Sequence, residues 1–302
     1  MKTSIPWEWY RTFLAVLREG SLSGASRMLG ITQPTAGRHI AALESALGQV
    51  LFTRSQTGLL ATETAQALRV HAEAMESTAN TLERTAANVG ASSASIRGVV
   101  RVSASEIIGV EVLPPLIAQL RESNPQITIE LVLSNRVQDL LHREADIAIR
   151  ITTPIQEQLI ARRVGSIELG LHASTAYLAR HGAPESTEDL LKHALVGFDR
   201  NTPFIRNVLK KYPQLNRDLF SIRTDSDVAQ LSLIRAGAGI GICQVQLANG
   251  YVPLQRILPH FFSLYLDTWL VMHEDLRNSR CCKLVFDVLS KGLAEYIYPK
   301  RT

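Results

Sequence analysis

The chain has 302 residues, and its 32 Lys and Arg against 28 Asp and Glu give a formal charge of +4 at pH 7. Hydrophobic residues make up 46% and charged residues 20% of it, which excludes an intrinsically disordered chain, and the length favours two or three domains. No stretch approaches the roughly 18 consecutive apolar residues of a membrane span, and the N-terminus lacks the apolar centre of a secretory signal. We therefore expect a cytoplasmic protein with no membrane partner.

The net charge by itself gives little support for nucleic-acid binding. Residues 1–63 carry six basic and four acidic side chains, a net +2, so a DNA-binding argument has to rest on where those charges lie. The cysteines are few: Cys243 stands alone, and Cys281 and Cys282 are adjacent and cannot easily form a bridge. This usage is typical of a reducing compartment. We expect three buried apolar thiols, with a redox-sensing thiol as the alternative.

Two helical patterns joined by a glycine open the chain. Apolar residues from Tyr10 to Leu17 fall on one face of a helix that Gly20 ends. Ser23 is placed to cap a second, short helix, which a tight turn at Gly30 closes. The inward-facing residues predicted for this second helix are Ala25, Met28 and Leu29.

A third helix and a hairpin complete the pattern of a winged helix-turn-helix. Thr32 caps the predicted helix 32–46, and Pro34 lies in its first turn, where a missing N–H group costs nothing. Two short strands, 51–54 and 59–62, follow. This order of helix, short helix, glycine turn, capped helix and hairpin is typical of proteins that place the third helix in the major groove of DNA.

The exposed face of the third helix carries side chains suited to DNA. Gln pairs with adenine edges, Arg with guanine or phosphate and Thr with either, so Gln33, Thr35 and Arg38 are predicted to contact bases. A solvated helix face in a small helical domain is the alternative. The other residues predicted at the DNA surface, all but Pro34 assigned to phosphates, are Ser23, Arg27, Thr32, Pro34 and Arg54.

Residues 64–93 predict a long helix that pairs with its copy in a second subunit. Seam residues step alternately by three and four positions over about four heptads, and every other one is alanine, which lets two helix backbones approach closely. Such a helix is roughly 40 Å long and too thinly apolar to stand alone. Packing of the seam on its own chain is the alternative. The predicted dimerisation residues are Ala65, Leu68, Ala72, Met75, Ala79, Leu82, Ala86 and Val89.

The small-residue segment 90–95 separates this helix from a third zone, 98–302, that alternates strands and helices. Strands are predicted over 99–103, 127–133 and 146–150. Because helices lie between them, this βαβαβ order implies a parallel sheet. The intervening helices are marked by Pro114, Pro115, Leu116, Ile117 and Leu120, and by Val137, Leu140 and Leu141.

The last part of the zone predicts two lobes. A self-contained run over about 167–266 is followed by a late strand, 268–273, and a terminal helix. The late strand and helix indicate that the chain returns to the first lobe at its end. Lobe I then comprises about 98–166 and 267–302, and lobe II about 167–266. We expect a hinged cleft between the two lobes. Ligands of open α/β sheets bind at the carboxyl ends of parallel strands. The candidate effector residues at these ends are Ser103, Ser105, Ser134, Asn135, Arg150, Phe198, Thr224, Asp225 and Gln244.

Three further features are given structural interpretations. Arg150 either holds an acidic effector or is a structural arginine. Gly237, Gly239 and Gly241 follow a helix pattern and precede a strand, the reverse of a dinucleotide-binding loop, so they predict close packing at a turn. The run 273–275, His-Glu-Asp, is predicted as a solvated strand end rather than a metal site. No catalytic motif is found, so no enzyme activity, metal or cofactor is expected.

Several blocks of sequence carry a family resemblance. In the first zone they are Phe13-Leu14-Ala15-Val16, Gly20-Ser21-Leu22-Ser23, Thr32-Gln33-Pro34-Thr35, Leu43-Glu44, Leu47-Gly48, Leu51-Phe52 and Arg54. In the third zone they include Leu113-Pro114, Ala145-Asp146-Ile147-Ala148-Ile149-Arg150 and Arg235-Ala236-Gly237-Ala238-Gly239-Ile240-Gly241. Over nearly its whole length, the chain resembles the LysR-type transcriptional regulators. It departs from them at Gly37 and Gly24, where the family usually has Ser and Ala.

The resemblance implies an α/β protein with an N-terminal winged helix-turn-helix (1–63), a long linker helix (64–93) and a two-lobed effector domain (98–302) like that of type 2 periplasmic binding proteins. It implies double-stranded DNA, a small-molecule effector, RNA polymerase and further copies of the chain, in a homodimer or homotetramer, as partners. Ser105 and Ser134 match loops that commonly touch effectors. Effector binding is then expected to close or rotate the lobes and change the spacing of the DNA-binding domains.

Two other classes of protein stay open at this point. A transport or storage binding protein would use the cleft alone, which leaves the first 97 residues without a role. An enzyme built on the two-lobed domain would need a catalytic constellation that the sequence does not show. Specific binding to duplex DNA, or turnover of small acids or amines, distinguishes them from a regulator.

Overall fold

The computed structural model describes residues 4–55, 58–89, 96–135, 145–151, 159–250 and 252–299. Its described residues form two compact units, one up to Ala86 and one from Ala87 onward. No helix within these ranges is long and apolar enough to cross a membrane. The predicted 90–95 linker and the helix predicted around Val137, Leu140 and Leu141 lie outside them.

The first unit contains the three helices and the hairpin predicted from the sequence. The strands pair antiparallel, with Phe52 opposite Ala61, so the wing is a true hairpin. The observed boundaries of the second and third helices and of the two strands lie within two residues of the predicted ones. In chain order the elements are α1 (Trp7–Glu19), α2 (Leu22–Leu29), α3 (Gln33–Leu47), β1 (Phe52–Ser55), β2 (Gly58–Ala61) and α4 (Glu63–Val89).

Glycines end the first three helices as predicted, but the cap of α2 differs. Gly20, Gly30 and Gly48 all have left-handed backbone, with φ near +65°, which glycine adopts at no steric cost. Ser21 rather than Ser23 caps α2, because Ser21 is the last extended residue and its Oγ accepts a hydrogen bond from the Gly24 N–H at 3.0 Å. The predicted Ser23 cap is therefore wrong.

The core of the first unit fixes the wing and α3 against α1. Phe13, Leu14 and Leu43 are each 1% exposed, and their burial is the main source of stability. The backbone N–H groups of Leu51 and Phe52 donate to Glu44 Oε1 at 2.7 and 3.2 Å, which ties the wing to α3. Met28, predicted to face inward, is instead 48% exposed.

The N-terminal part of α4 packs on this same core. Ala65 and Ala72 are buried there and Leu68 packs against it, and Arg18 of α1 forms a bidentate ion pair with Glu76. For Ala65 and Ala72 the contacts favour the alternative, packing of the seam on its own chain, because their surface is already buried there.

The rest of the α4 seam is differently placed. Met75 is 43% and Leu82 72% exposed, in contrast to the buried alanines. Ala79 is half-buried. The side chains of Ala86 and Val89 lie outside the described part of the chain.

The second unit is a mixed α/β domain built on one large sheet. A π-helical segment, Ile108–Val112, leads into its first helix. The helices are α5 (Leu113–Ser123), α6 (Thr175–His181), α7 (Thr187–Leu190), α8 (Pro203–Lys211), α9 (Asp227–Arg235) and α10 (Arg280–Ile297). The strands are β3 (Gly98–Ala104), β4 (Ile127–Leu133), β5 (Ile147–Arg150), β6 (Leu159–Ser174), β7 (Leu195–Gly197), β8 (Ile222–Arg223), β9 (Ile240–Gln244), β10 (Leu254–Ile257) and β11 (Ser263–His273).

The strand order divides the sheet into two lobes. Neighbouring strands run β4-β3-β5-β11-β6-β9-β7-β8, with β10 beside β6. Strand β3 is parallel to β4 and β5, as the βαβαβ pattern predicts. We call the half with β3–β5, α5 and α10 lobe I and the half with β7–β10 and α6–α9 lobe II. The long antiparallel strands β6 and β11 join them.

Each lobe has apolar residues from several elements in its core. In lobe I, Val102, Ile147 and Val285 are fully buried, whereas Leu190 and Phe262 are fully buried in the core of lobe II. The lobe I cluster also takes in residues of α9 and β9, so these elements lie where the lobes meet.

The glycine-rich turn between α9 and β9 has the predicted packing role. A Cβ atom on Gly239 would lie 2.4 Å from the carbonyl oxygen of Ala194, and one on Gly241 would lie 2.8 Å from Ile234 Cδ1. Contacts this short leave no room for a side chain. The prediction of close packing is confirmed.

The two unusual glycines of the first unit predict opposite effects of alanine. At Gly37 a Cβ meets only Leu22 Cδ1 at an ordinary 3.7 Å, whereas at Gly24 it meets Glu19 Cβ at 2.7 Å. Gly37→Ala should therefore raise the free energy of unfolding by about 0.5–1 kcal/mol, the helix penalty of glycine. Gly24→Ala should lower it. Urea unfolding followed by circular dichroism measures both, and equal shifts in one direction would contradict this packing.

Candidate DNA-reading surface and effector cleft

Helix α3 buries one face and exposes the other. Ala36 and Ile40 lie in the core, while Gln33, Pro34 and Arg38 are exposed. This division follows from the 3.6-residue period of the helix. The residues predicted to contact DNA bases are therefore available to a ligand, with Thr35 half-buried beside them.

A chain of hydrogen bonds orders the start of α3. The Thr35 N–H donates to Thr32 Oγ1 at 3.3 Å, and the two threonine hydroxyls lie 2.8 Å apart. Arg38 Nη2 donates to Thr35 Oγ1 at 3.3 Å. Thr32 is thus the predicted N-cap, and its network directs the guanidinium of Arg38 along the exposed face. Ordering a long side chain before binding lowers the entropy lost in the complex.

The residues predicted to contact phosphates lie at the surface of the same unit. Arg27 Nη1 donates to Ser23 Oγ at 3.0 Å, so these two form one polar pair on α2. Arg54 is exposed on β1, in the wing. Both positions offer hydrogen-bond donors of the kind that hold DNA phosphates.

Arg150 and Ser103 form a buried structural pair in lobe I. The side chain of Arg150 donates through Nη2 to Ser103 Oγ and through Nη1 to the carbonyl oxygen of Ile149, both at 3.1 Å. Arg150 is 7% and Ser103 2% exposed. Of the two interpretations given to Arg150, these contacts favour the structural one.

Three other candidate residues of lobe I surround a contact between the lobes. Ser105 and Ser134 are half-buried and Asn135 is exposed, and Asn135 Oδ1 accepts a hydrogen bond from the Glu106 N–H at 3.1 Å. Ser226 of lobe II donates to Glu106 Oε2 at 3.0 Å. Glu106 and Ser226 were missed in the sequence, although Glu106 directly follows Ser105 at the end of β3.

The candidate residues of lobe II have different surroundings. Phe198 packs edge-on against Phe220, with ring centroids 5.0 Å apart. Thr224 Oγ1 accepts from the Ser226 N–H at 3.2 Å, which places Thr224 beside the interlobe contact.

Two candidate residues of lobe II accept hydrogen bonds from other residues of the chain. Asp225 Oδ1 accepts from the N–H groups of Asp199 and Arg200 at 3.0 and 2.9 Å. Gln244 is 5% exposed and its Oε1 accepts from the Tyr296 hydroxyl at 2.5 Å. These bonds give Asp225 and Gln244 structural roles.

A second interlobe contact is an ion pair. Arg235, at the end of α9, donates through Nη1 and Nη2 to the two carboxylate oxygens of Glu111 at 2.8 and 2.9 Å. The Arg235 side chain is 6% and that of Glu111 20% exposed. Because both charges are largely removed from water, breaking the pair from one side would leave a poorly solvated charge.

The three thiols are buried, as predicted. Burial raises the pKa of Cys243 to about 12 and that of Cys281 to about 11. Cys243 Sγ lies 3.3 Å from His172 Nδ1, and burial lowers the pKa of His172, so a neutral imidazole faces a neutral thiol. Nucleophilic and redox chemistry requires the thiolate, which this environment disfavours. Among the described residues no His, Cys, Asp and Glu group suits a metal ion.

A winged helix-turn-helix unit followed by a two-lobed α/β domain defines a DNA-binding regulator with a sensor domain. The family model for the bacterial regulatory helix-turn-helix protein, lysR family, matches residues 7–66, and that for the LysR substrate binding domain matches residues 93–294. The chain therefore belongs to the LysR family of transcriptional regulators, which are not enzymes.

Individual relatives agree with this assignment. An HTH-type transcriptional regulator of Xanthomonas campestris pv. campestris is 29% identical over 218 residues, which cover 72% of this chain and 60% of the relative. The regulator DmlR of Escherichia coli is 25% identical over 96% of this chain and 94% of its own. Full-length CbnR, solved in complex with target DNA, has a TM-score of 0.65 over 95% of this chain and 99% of its own, at 18% identity, and shares the fold.

The thiol environments predict slow chemical modification. At pH 8, iodoacetamide should label Cys243, Cys281 and Cys282 only after guanidinium unfolds the protein, because burial blocks access and the raised pKa of the first two keeps them protonated. Mass spectrometry of native and unfolded samples measures the labelling. Rapid labelling of one thiol in the native protein would restore the redox-sensing alternative.

Proposed function

We propose that α3 enters the major groove of a specific duplex, with Gln33, Thr35 and Arg38 on base edges. The observation that carries this proposal is the exposed, hydrogen-bonded Thr32–Thr35–Arg38 chain on the face opposite the core. Phosphate contacts are assigned to Ser23, Arg27, Thr32 and Arg54, with Pro34 in the turn that approaches the DNA. CbnR, which shares the fold, binds its target DNA.

The second unit is proposed to bind a small-molecule effector between the lobes. Ser105, Ser134, Asn135 and Thr224 keep the role of candidate ligands, since they lie on the segments that the hydrogen bonds of Glu106 and Ser226 bring together. Effector binding there would alter this contact and the Arg235–Glu111 ion pair together, and so shift the lobe orientation that the DNA-binding domains respond to. A ligand screen by thermal shift, with DNA footprinting, tests this step.

The chain is proposed to work as a homodimer or homotetramer in the cytoplasm, with RNA polymerase as a further partner. The functional divisions are 1–63 for DNA, 64–93 for oligomerisation and 98–302 for the effector. Support for a helix interface comes from the exposed apolar side chains of Met75 and Leu82, which a second copy of α4 would cover. Such exposure is costly in a lone helix.

Arg38→Ala should reduce discrimination between a duplex recovered by selection and a scrambled duplex. Loss of one bidentate base contact is worth about 1–3 kcal/mol, which corresponds to about 5- to 150-fold. Fluorescence anisotropy gives both affinities. Arg11→Ala is the matched control, because Arg11 is exposed on α1 rather than on α3 and should leave discrimination unchanged. Equal effects of the two variants would contradict the proposed orientation of α3.

Leu82→Glu should weaken subunit association without unfolding the first unit, because Leu82 is 72% exposed in the chain. Sedimentation velocity measures association and thermal melting measures folding. Ala72→Leu supplies the contrast: it overpacks a buried site and should lower stability by about 1–3 kcal/mol while association persists. If the Leu82→Glu variant associates as the wild type does, the proposal that α4 forms the subunit interface is contradicted.

A further inference from the structure

One segment of lobe II carries an excess of positive charge. Residues 199–223 contain six Lys and Arg against two Asp, a net +4, which equals the formal charge of the whole chain. Residues 1–63, proposed to hold the specific DNA contacts, have a net charge of only +2. A larger local excess of cations than that of residues 1–63 therefore lies outside the helix-turn-helix.

Ion pairs occupy the acidic side chains around this segment. Arg217 pairs with Asp199 at 2.6 Å and Arg223 with Asp218 at 3.9 Å. Arg200 lies 3.4 Å from Asp225, just beyond the segment. The remaining cations of the segment are all on helix α8: Arg206, Lys210 and Lys211.

These three cations have neutral surroundings within the described ranges. Arg206 Nη1 donates to the carbonyl oxygen of Asn201 at 2.8 Å, and Lys210 Nζ to Asn207 Oδ1 at 3.3 Å. Lys211 Nζ lies 5.3 Å from the centre of the Tyr212 ring. No acidic side chain of the described residues pairs with any of them, and α8 itself contains no Asp or Glu.

The geometry of α8 places its three cations on one side of the helix. Arg206 and Lys210 are four residues apart, and Asn207 and Lys211 form the adjacent row, so all four lie side by side on the exposed surface. Thr202 caps the helix by accepting from the Ile205 N–H at 3.2 Å. We call Arg206, Asn207, Lys210 and Lys211 the α8 stripe.

A polyanion is the partner that such a surface fits. Surfaces that hold DNA are polar and strongly positive, and phosphate contacts supply much of the affinity of DNA-binding proteins. The opposite, apolar row of α8 (Ile205, Val208 and Leu209) is half-buried, which leaves the polar row as the free face. We propose that the α8 stripe binds the phosphate backbone of duplex DNA, independently of base sequence, as a second DNA contact of the full-length regulator.

This inference rests on the proposed DNA-binding function, and salt dependence tests the two separately. The probe is a 60-base-pair duplex of random sequence, bound by the full-length chain at several NaCl concentrations. In the variant R206Q/K210Q/K211Q, each lost phosphate contact should lower the slope of log affinity against log salt by about 0.9. We expect a slope smaller by about 2.7 per bound subunit and affinity at least about tenfold weaker at 0.1 M NaCl.

The matched control is R277Q/K283Q/K291Q, which removes one arginine and two lysines from exposed positions on the other lobe. It changes the net charge equally and should retain the wild-type slope. Equal slopes for both variants and the wild type would overturn the α8 inference while leaving DNA binding intact. No duplex binding by the wild type would instead refute the proposed function.

A second readout separates DNA from an acidic protein as the partner of the stripe. Purified RNA polymerase is tested for binding to both triple variants in the absence of DNA. Weaker polymerase binding by R206Q/K210Q/K211Q alone, with an unchanged salt slope on DNA, would assign the stripe to an acidic protein surface and overturn the proposal. A reduced salt slope with unchanged polymerase binding supports it.

Discussion

The antiparallel pairing of β6 with β11 is the constraint on which the sensor domain depends. These strands run beside each other from His273 opposite Leu159 to Ser263 opposite Gly170 and join both lobes into one sheet. Their register shifts between Thr268 and Trp269, so the crossing is not a uniform ladder. A shift of this kind increases local twist and bends the strand. The orientation of one lobe against the other therefore follows from how this pair is bent.

Two polar contacts between the lobes hold that orientation. Ser226 and Glu106 share a neutral-to-charged hydrogen bond, whereas Arg235 and Glu111 form a bidentate ion pair with little water around it. A charged pair held this way is strongly directional, so it favours one arrangement of the lobes. The lobes are held together at two contacts, Glu106–Ser226 and Glu111–Arg235. A ligand that competes for the polar groups near Glu106 would act on the first of them.

The DNA-reading unit is organised by the opposite kind of constraint, a rigid core below an open surface. Glu44 joins α3 to the wing through two backbone N–H groups, and the Arg18–Glu76 pair joins α4 to α1. An exposed pair is worth little by itself, but here it lies one helical turn from the buried Ala72. The first turns of α4 are thus part of the unit they follow in the chain.

The sequence predicts local structure well. It predicts less well which tertiary contacts each side chain makes. The periodicities of α1, α3 and β3–β5 and the glycine helix ends were predicted correctly, because spacing and left-handed backbone are local properties. The periodicity of the α4 seam does not settle how the seam is used, since a heptad pattern does not show which chain covers each alanine.

The candidate effector residues show the same limit. Arg150 and Gln244 stand at strand ends, as the sequence indicates, yet their partners Ser103 and Tyr296 come from distant segments. Glu106 and Arg235 matter because they form contacts between the lobes. No short sequence motif reveals such contacts. Local sequence patterns therefore do not reveal contacts between residues that lie 47 to 124 positions apart.

In vitro selection from a random duplex library tests the central claim, sequence-specific DNA reading by an oligomer, most directly. The full-length protein is the bait, and enriched duplexes are sequenced over successive rounds. The account predicts two dyad-related half-sites separated by about one helical turn or a multiple of it. Enrichment without a shared sequence, or a single half-site with no dyad, would contradict it.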